Sequence, residues 1–254
     1  MRGSLYVWGM CAVMAVMSGT QASAQQQLTI YSGGAVKSGL EAAAADYEKQ
    51  KGTKIRIEFL PMGPLTKALG EGAKADIAIV TDDVWADTES KKLVDASSKT
   101  EVGRVAIGVA VHESAPSPDI STPEALKAAL LNAKSVVYID PQRGTSGRHF
   151  AGVLEKLGIA NEVNAKTKFG SGGYVVEPVG KGEIELGVHQ ITEILPVKGV
   201  KLVGPLPASL QKETIYIGAL TPGTQNAAEA KAFLAFLRQP ETRKIFAAKG
   251  FNEK

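Results

Sequence analysis

The sequence predicts an α/β fold of two lobes, each a mostly parallel sheet flanked by helices, joined by two crossover strands. Three observations predict it. Short apolar runs of strand length alternate with stretches of helical periodicity. Small-residue turns follow the carboxyl ends of those runs. The series occurs twice, and long extended segments near residues 104–112 and 202–218 join the two copies. The expected bounds are 25–107 with 206–254 for lobe I and 108–205 for lobe II.

The first series opens with "LTIYSGG", a strand ending in a small turn, and a helix over "AVKSGLEAAAADYEKQKG" closed by Gly52. "TKIRIEFL" alternates as a strand, "PMGPL" turns, "LTKALGEGA" is helical and "ADIAIVT" is a buried-type strand. From Gly103, "GRVAIGVAVHE" reads as one long alternating strand, followed by a Pro/Ser loop. Thr122 is placed to cap the helix "TPEALKAALL", with Pro123 at its first position. The second series follows in "KSVVYIDPQRGTSGRHFAGVLEKLGI" and "TKFGSGGYVVEPVGKGEIELGVHQITEIL". "KLVGPLP" and "ETIYIGALT" return as strands, and the end forms two amphipathic helices broken at Pro240.

The N-terminus carries Arg2, an apolar run from Leu5 to Met17, and Ala22-Ser23-Ala24. That is the layout of a secretory signal over residues 1–24, cleaved after Ala24, so the mature protein is expected in the periplasm. The apolar run is shorter than the roughly 20 residues that span a bilayer. The single cysteine, Cys11, lies inside the signal, so the mature core must hold without disulfides. Against 29 Lys+Arg stand 26 Asp+Glu, a balance that argues against nucleic acid and polybasic membrane binding. A monomer is expected, with no cofactor and no metal.

In open α/β sheets ligands bind beyond the carboxyl ends of strands, where helix N-termini supply unpaired N–H groups that favour anions. Four loops have that form: Ser32-Gly33-Gly34, Met62-Gly63-Pro64, Gly144-Thr145-Ser146-Gly147 and Val188-His189-Gln190. Two fall in each lobe, so an anion would sit in the cleft between them. Each loop alone is also an ordinary turn. Arg143 and Arg148 bracket a helix start, where a cation is unfavourable unless an anion offsets it. Arg148 foremost, then Arg143, are therefore candidate ligand contacts, an arginine fork suiting carboxylate or phosphate. Their plainer reading is pairing within the protein, with Asp140 or Glu155 nearby in sequence. Tyr174 and Thr192 complete the candidate set. No zinc motif, nucleophile elbow or phosphate-binding glycine loop is present. His112 and His149 read as structural, and His189 is the exception because it sits at the cleft end of a strand.

"LTIYSGG", "DYEKQKG", "PMGPL", "GAKAD" and "ELGVHQITEI" with "KGVKLVGPLP" together resemble the periplasmic molybdate-binding protein family of ABC importers, over essentially the whole mature chain. The resemblance implies the two-lobe periplasmic-binding-protein fold of type II, capture of a solute and an inner-membrane permease as partner. It also implies a serine in each of the first two loops and a tyrosine on the late strand. Here Ser32 stands in the first loop, the second loop has Met62-Gly63-Pro64 without a serine, and Gln190 stands at the tyrosine position. The expected ligand is therefore an organic di- or tricarboxylate or a phosphorylated acid, held without reaction. Molybdate or tungstate is the alternative. A secreted lyase or dehydratase using His189 or Glu193 is the alternative of another class.

Overall fold

The computed structural model describes residues 27–252, so the expected signal lies outside the described residues. Among the described residues ten strands form two five-stranded sheets. The first has the order β2-β1-β3-β10-β4, from β1 (Gln27–Ser32), β2 (Lys54–Phe59), β3 (Ile77–Thr81), β10 (Thr214–Leu220) and β4 (Thr100–Val105). The second has the order β7-β6-β8-β5-β9, from β7 (Thr167–Gly170), β6 (Val136–Ile139), β8 (Leu186–Gln190), β5 (Ile107–His112) and β9 (Val200–Pro205). In each sheet the three strands of the β-α series run parallel, a fourth lies antiparallel to them, and an edge strand antiparallel to the fourth completes the sheet.

The segment expected as one long strand is two. β4 ends at Val105 and β5 begins at Ile107, so Ala106 alone carries the chain from one sheet to the other. Nearly every residue of β5 is buried, which is why polar–apolar alternation misdescribed it. The return crossing runs through residues 206–213. There the Gln211 amide imitates a strand partner: Nε2 donates to the Ile107 carbonyl at 2.7 Å and Oε1 accepts from the Ile107 N–H at 3.1 Å. The outgoing and returning crossings are thereby tied together.

Helices form where expected, with two instructive differences. α1 (Lys37–Lys51), preceded by a single 3-10 turn over Gly34–Val36, ends at Gly52 in the left-handed conformation, φ 75°. α4 (Pro123–Asn132) starts as the sequence indicates, with Thr122 Oγ1 accepting from Ala125 N–H at 3.1 Å. α2 (Met62–Gly70) absorbs the expected Met62-Gly63-Pro64 turn into its first turn, where a proline costs no hydrogen bond. α3 (Asp82–Ser90) has no sequence periodicity to announce it: Trp85 and Thr88 alone are buried, and it is held by the acidic pair Asp82 and Asp83 at its positive end. In lobe II, α5 (Thr145–Leu157) follows β6, α6 (Ala160–Asn164) precedes β7, and α7 (Glu177–Gly180) and α8 (Ile191–Ile194) flank β8. α9 (Ala227–Leu237) and α10 (Pro240–Ala247) return to lobe I, Pro240 opening the last helix.

Each sheet has its own core. Leu28, Ile30, Leu40, Tyr47, Phe233 and Phe246 fill lobe I, and Ile107, Leu126, Tyr138, Phe150, Leu154 and Val188 fill lobe II. The α5 N-terminus is pressed so tightly onto β6 that a Cβ at Gly147 would lie 2.0 Å from the Ile139 carbonyl oxygen. Backbone on both sides leaves no side chain to move aside. Gly147→Ala is expected to lower stability by about 1–3 kcal/mol, read as a depressed denaturant midpoint at unchanged slope; an unchanged midpoint would refute this packing.

Candidate functional site

The carboxyl ends of the parallel strands of both sheets meet across one cavity of about 210 Å³. After β1 come Gly33, Gly34, Ala35 and Lys37; after β2, Leu60, Pro61 and Met62. From lobe II, Gly144, Thr145 and Ser146 follow β6, Gly173 and Tyr174 follow β7, and His189, Gln190 and Glu193 stand at the end of β8 and in α8. Tyr216 of β10 closes the floor beside β3.

Three helix-type N-termini point here without side-chain caps: those at Gly34, Met62 and Thr145. Their first N–H groups carry partial positive charge and suit an anion. Lys37 is the cation in the wall. Its ammonium lies 5.7 Å from the Phe59 ring centroid and 5.6 Å from that of Tyr174, so rings from opposite lobes hold it. A lysine at the first position of α1 opposes the helix dipole, which again favours an anion beside it.

Facing these donors is a buried polar chain. Ser146 Oγ lies 3.2 Å from His189 Nδ1, and His189 Nε2 lies 3.1 Å from both Glu193 Oε2 and the Gly173 carbonyl. Both partners of Nε2 only accept, so Nε2 carries a hydrogen. Burial by itself lowers the His189 pKa, but the Glu193 charge, its hydrogen bond and the Gly173 carbonyl together hold it above the ordinary 6.5. The other Glu193 oxygen, Oε1, lies 2.7 Å from where a Cβ on Gly34 would be, so a side chain there would have to displace the carboxylate. Burial, then Glu193, Asp83 and Asp82, push the Tyr216 phenol well above 10, which keeps it a neutral O–H donor. Gln190 Nε2 donates to Thr214 Oγ1 at 2.9 Å, while Gln190 Oε1 and Thr192 Oγ1 are buried with no hydrogen-bond partner.

The expected candidates divide accordingly. Gly33, Gly34, Met62, Thr145, Ser146, Tyr174, His189 and Gln190 line the cavity. Ser32 lies beneath it, fully buried, donating to the Gly33 carbonyl at 3.1 Å. Gly147 and Thr192 are buried behind the wall, and Gly63 donates its N–H to the Arg143 carbonyl at 3.3 Å, across the lobes. The two arginines are not in the cavity wall. Arg143 Nε donates to the Ser171 carbonyl at 2.9 Å, and Arg148 pairs with Asp83 of the opposite lobe. The anion that offsets Arg148 at its helix start is thus Asp83, 65 residues away in sequence, not Asp140 or Glu155. Thr145 Oγ1 joins the same cluster, 3.1 Å from Thr81 Oγ1 and donating to Asp83 Oδ1 at 3.2 Å. With Arg148 about half exposed, the ion pair contributes roughly 0.2–1 kcal/mol, too little to hold the lobes shut alone. His112 and His149 bond Ser114 and the Leu210 carbonyl, away from the site. Lys37, Glu193 and Tyr216 complete the site outside the expected ligand set; the dipole argument applied to Arg148 applies equally to Lys37 and would have found it.

The family model for bacterial extracellular solute-binding proteins matches residues 28–252. The chain belongs to that family. This solute-binding protein is 30% identical over 229 residues to a protein named aconitate isomerase from Pseudomonas sp, covering 88% of this chain and 86% of that one. It is 26% identical over 258 residues to molybdate-binding protein ModA of Escherichia coli (strain K12), covering 100% and 99%. Among solved structures it resembles the periplasmic molybdate-binding protein of Azotobacter vinelandii with a TM-score of 0.76 at 17% identity, over 89% and 99% of the two chains. The two-lobe binding-protein fold and the molybdate-binding-protein-like family expected from the sequence are therefore shown. Two of these three relatives carry the name of a binding protein and the third the name of an enzyme.

The buried His189–Glu193 pair sets a pH dependence. Because the folded pKa of His189 is raised, its contribution to stability is complete below about 6.5 and is lost as pH rises through the folded value. Thermal midpoints measured from about pH 6 to about pH 9 should fall more steeply in the native solute-binding protein than in His189→Gln. Parallel curves for the two would show that the pair is not charged in the folded state.

Proposed function

We propose that this protein is exported to the periplasm, after cleavage behind Ala24, and captures a small organic polycarboxylate for an inner-membrane ABC permease. The observation that carries the reading is the cavity wall: uncapped helix N-termini from both lobes and the Lys37 ammonium converge on about 210 Å³. One carboxylate takes the N–H groups at Gly34 and Ala35 together with Lys37, and another takes those at Thr145 and Ser146. Gln190 Oε1, buried without a partner, accepts from a ligand hydroxyl or a protonated carboxyl. Capture is the function these binding groups support best.

The ligand class follows from the site's departures from an oxyanion cage and from the relative named for aconitate. A tetrahedral oxyanion is satisfied by neutral donors around one centre. Here a cation, two phenols and donors on two facing helix ends are spread over a larger wall, which suits an extended acid with two or three carboxylates. A hinge in the two crossings, at Ala106 and over residues 206–213, would open and close the cleft, one residue before the expected lobe bound at 107/108.

Calorimetric titration of the mature protein with trans-aconitate, citrate and molybdate tests this reading. Binding of a tricarboxylate without molybdate binding is expected, and ligand at about 100 times its Kd should stabilise the fold by roughly 2.7 kcal/mol. Lys37→Ala removes a charge-assisted contact of about 1.5–3 kcal/mol, or about 10–150-fold in Kd. Arg148→Ala, which loses only the Asp83 pair, should change Kd by no more than about 5-fold. Heat with molybdate alone would overturn the polycarboxylate reading.

A further inference from the structure

The Lys37 wall and the helix ends account for binding, but they leave the Ser146–His189–Glu193 chain without a task. An anion-binding cavity gains nothing from a carboxylate in its wall. Like charge opposes the ligand, and burying Glu193 needs a paired cation and hydrogen bonds to be tolerated at all. The structure supplies them: His189 Nε2–H holds Oε2, leaving Oε1 over Gly34 at the cavity wall, where Gly34 has no side chain to cover it. His189 is in turn fixed by Gly173 and Ser146. This is a carboxylate held by one oxygen and presented by the other.

We propose that Glu193 is a general base that moves a proton between two carbons of the captured acid, a 1,3-shift on an unsaturated polycarboxylate bearing an allylic CH2. The inference rests on the polycarboxylate reading above. Glu193 Oε1 takes a proton from the CH2 carbon: that C–H bond breaks, an O–H bond forms, and the electron pair spreads through the double bond into the adjoining carboxylate. The Lys37 ammonium and the helix-end N–H groups receive the charge that accumulates there. The same proton then returns from Glu193 to the far carbon of the allyl unit, and the double bond is displaced by one position. Atoms and charge balance without any oxidant, reductant or second substrate. His189 is a positioning residue: with Nε2 on Glu193 and Nδ1 on Ser146 it fixes the carboxylate's direction and does not touch the acid.

Binding and proton transfer are separated by following the cis and trans isomers of the acid used above. Proton NMR reads their interconversion, and calorimetry reads Kd on the same samples. The native protein is expected to interconvert them. Glu193→Gln, isosteric and uncharged, should lower the rate by about 100-fold or more while Kd holds or tightens. Glu193→Asp should restore part of the rate. His189→Gln should lower kcat about 10-fold or more with KM within about 3-fold, the split expected of a group that aims the base. Binding without interconversion by the native protein would overturn the inference and leave capture intact. So would a Glu193→Gln protein that binds and interconverts at the native rate. Absence of binding by the native protein would instead overturn the polycarboxylate reading, and this inference with it.

Discussion

A helix that begins without a side-chain cap leaves backbone N–H groups that must find a partner, and here three such beginnings face one another across a cleft. Much of the molecule is arranged around that constraint. Parallel β-α units put each helix start beyond the carboxyl end of its strand. Two such sheets set end to end bring the starts together, and the short crossings keep them within reach of a single small ligand. The choice of lining residues follows the same electrostatics. Lys37 adds a full charge where the dipoles already favour an anion, and Tyr216 stays a neutral donor because its surroundings are acidic and dry.

Against that positive field the molecule places two acidic centres, and they are handled differently. Asp83 caps the outer edge of the cleft, where Arg148 neutralises it in partial contact with water. Glu193 is nearly inaccessible, and a histidine neutralises it. An exposed pair can form and break at little cost as the lobes separate. A buried pair cannot lose one member without leaving an uncompensated charge. The first is therefore the pair that lobe separation would break, and the second stays intact within lobe II.

The β-α rhythm was legible because it is local: periodicity, turn residues and caps such as Thr122 act within a few positions of one another. The break at Ala106 was not, because residues on both sides are buried and apolar and nothing in the pattern marks the change of sheet. α3 was hidden because its buried face is too small to set a period. For the site, the turn residues of the four loops were found from their positions after strands. The pairing of Arg148 with Asp83 depends on lobe docking, which links residues from separate β-α series. Tyr216 is contributed by an antiparallel strand that returns from the other lobe, so no turn after it points to the cavity.

The double hydrogen bond between the Gln211 amide and Ile107 makes the two crossings behave as one ribbon. Two separate single-chain tethers would let the lobes twist, shear and yaw independently. A laced pair resists all of these except folding about its own line, as a door hung on two pins on one axis swings but does not wander. Opening about this ribbon would follow essentially one coordinate, and closing along it would bring Ser146, Glu193 and Lys37 back into the same register. Accuracy at the cavity is secured one strand behind its wall, by a glutamine that does not line it.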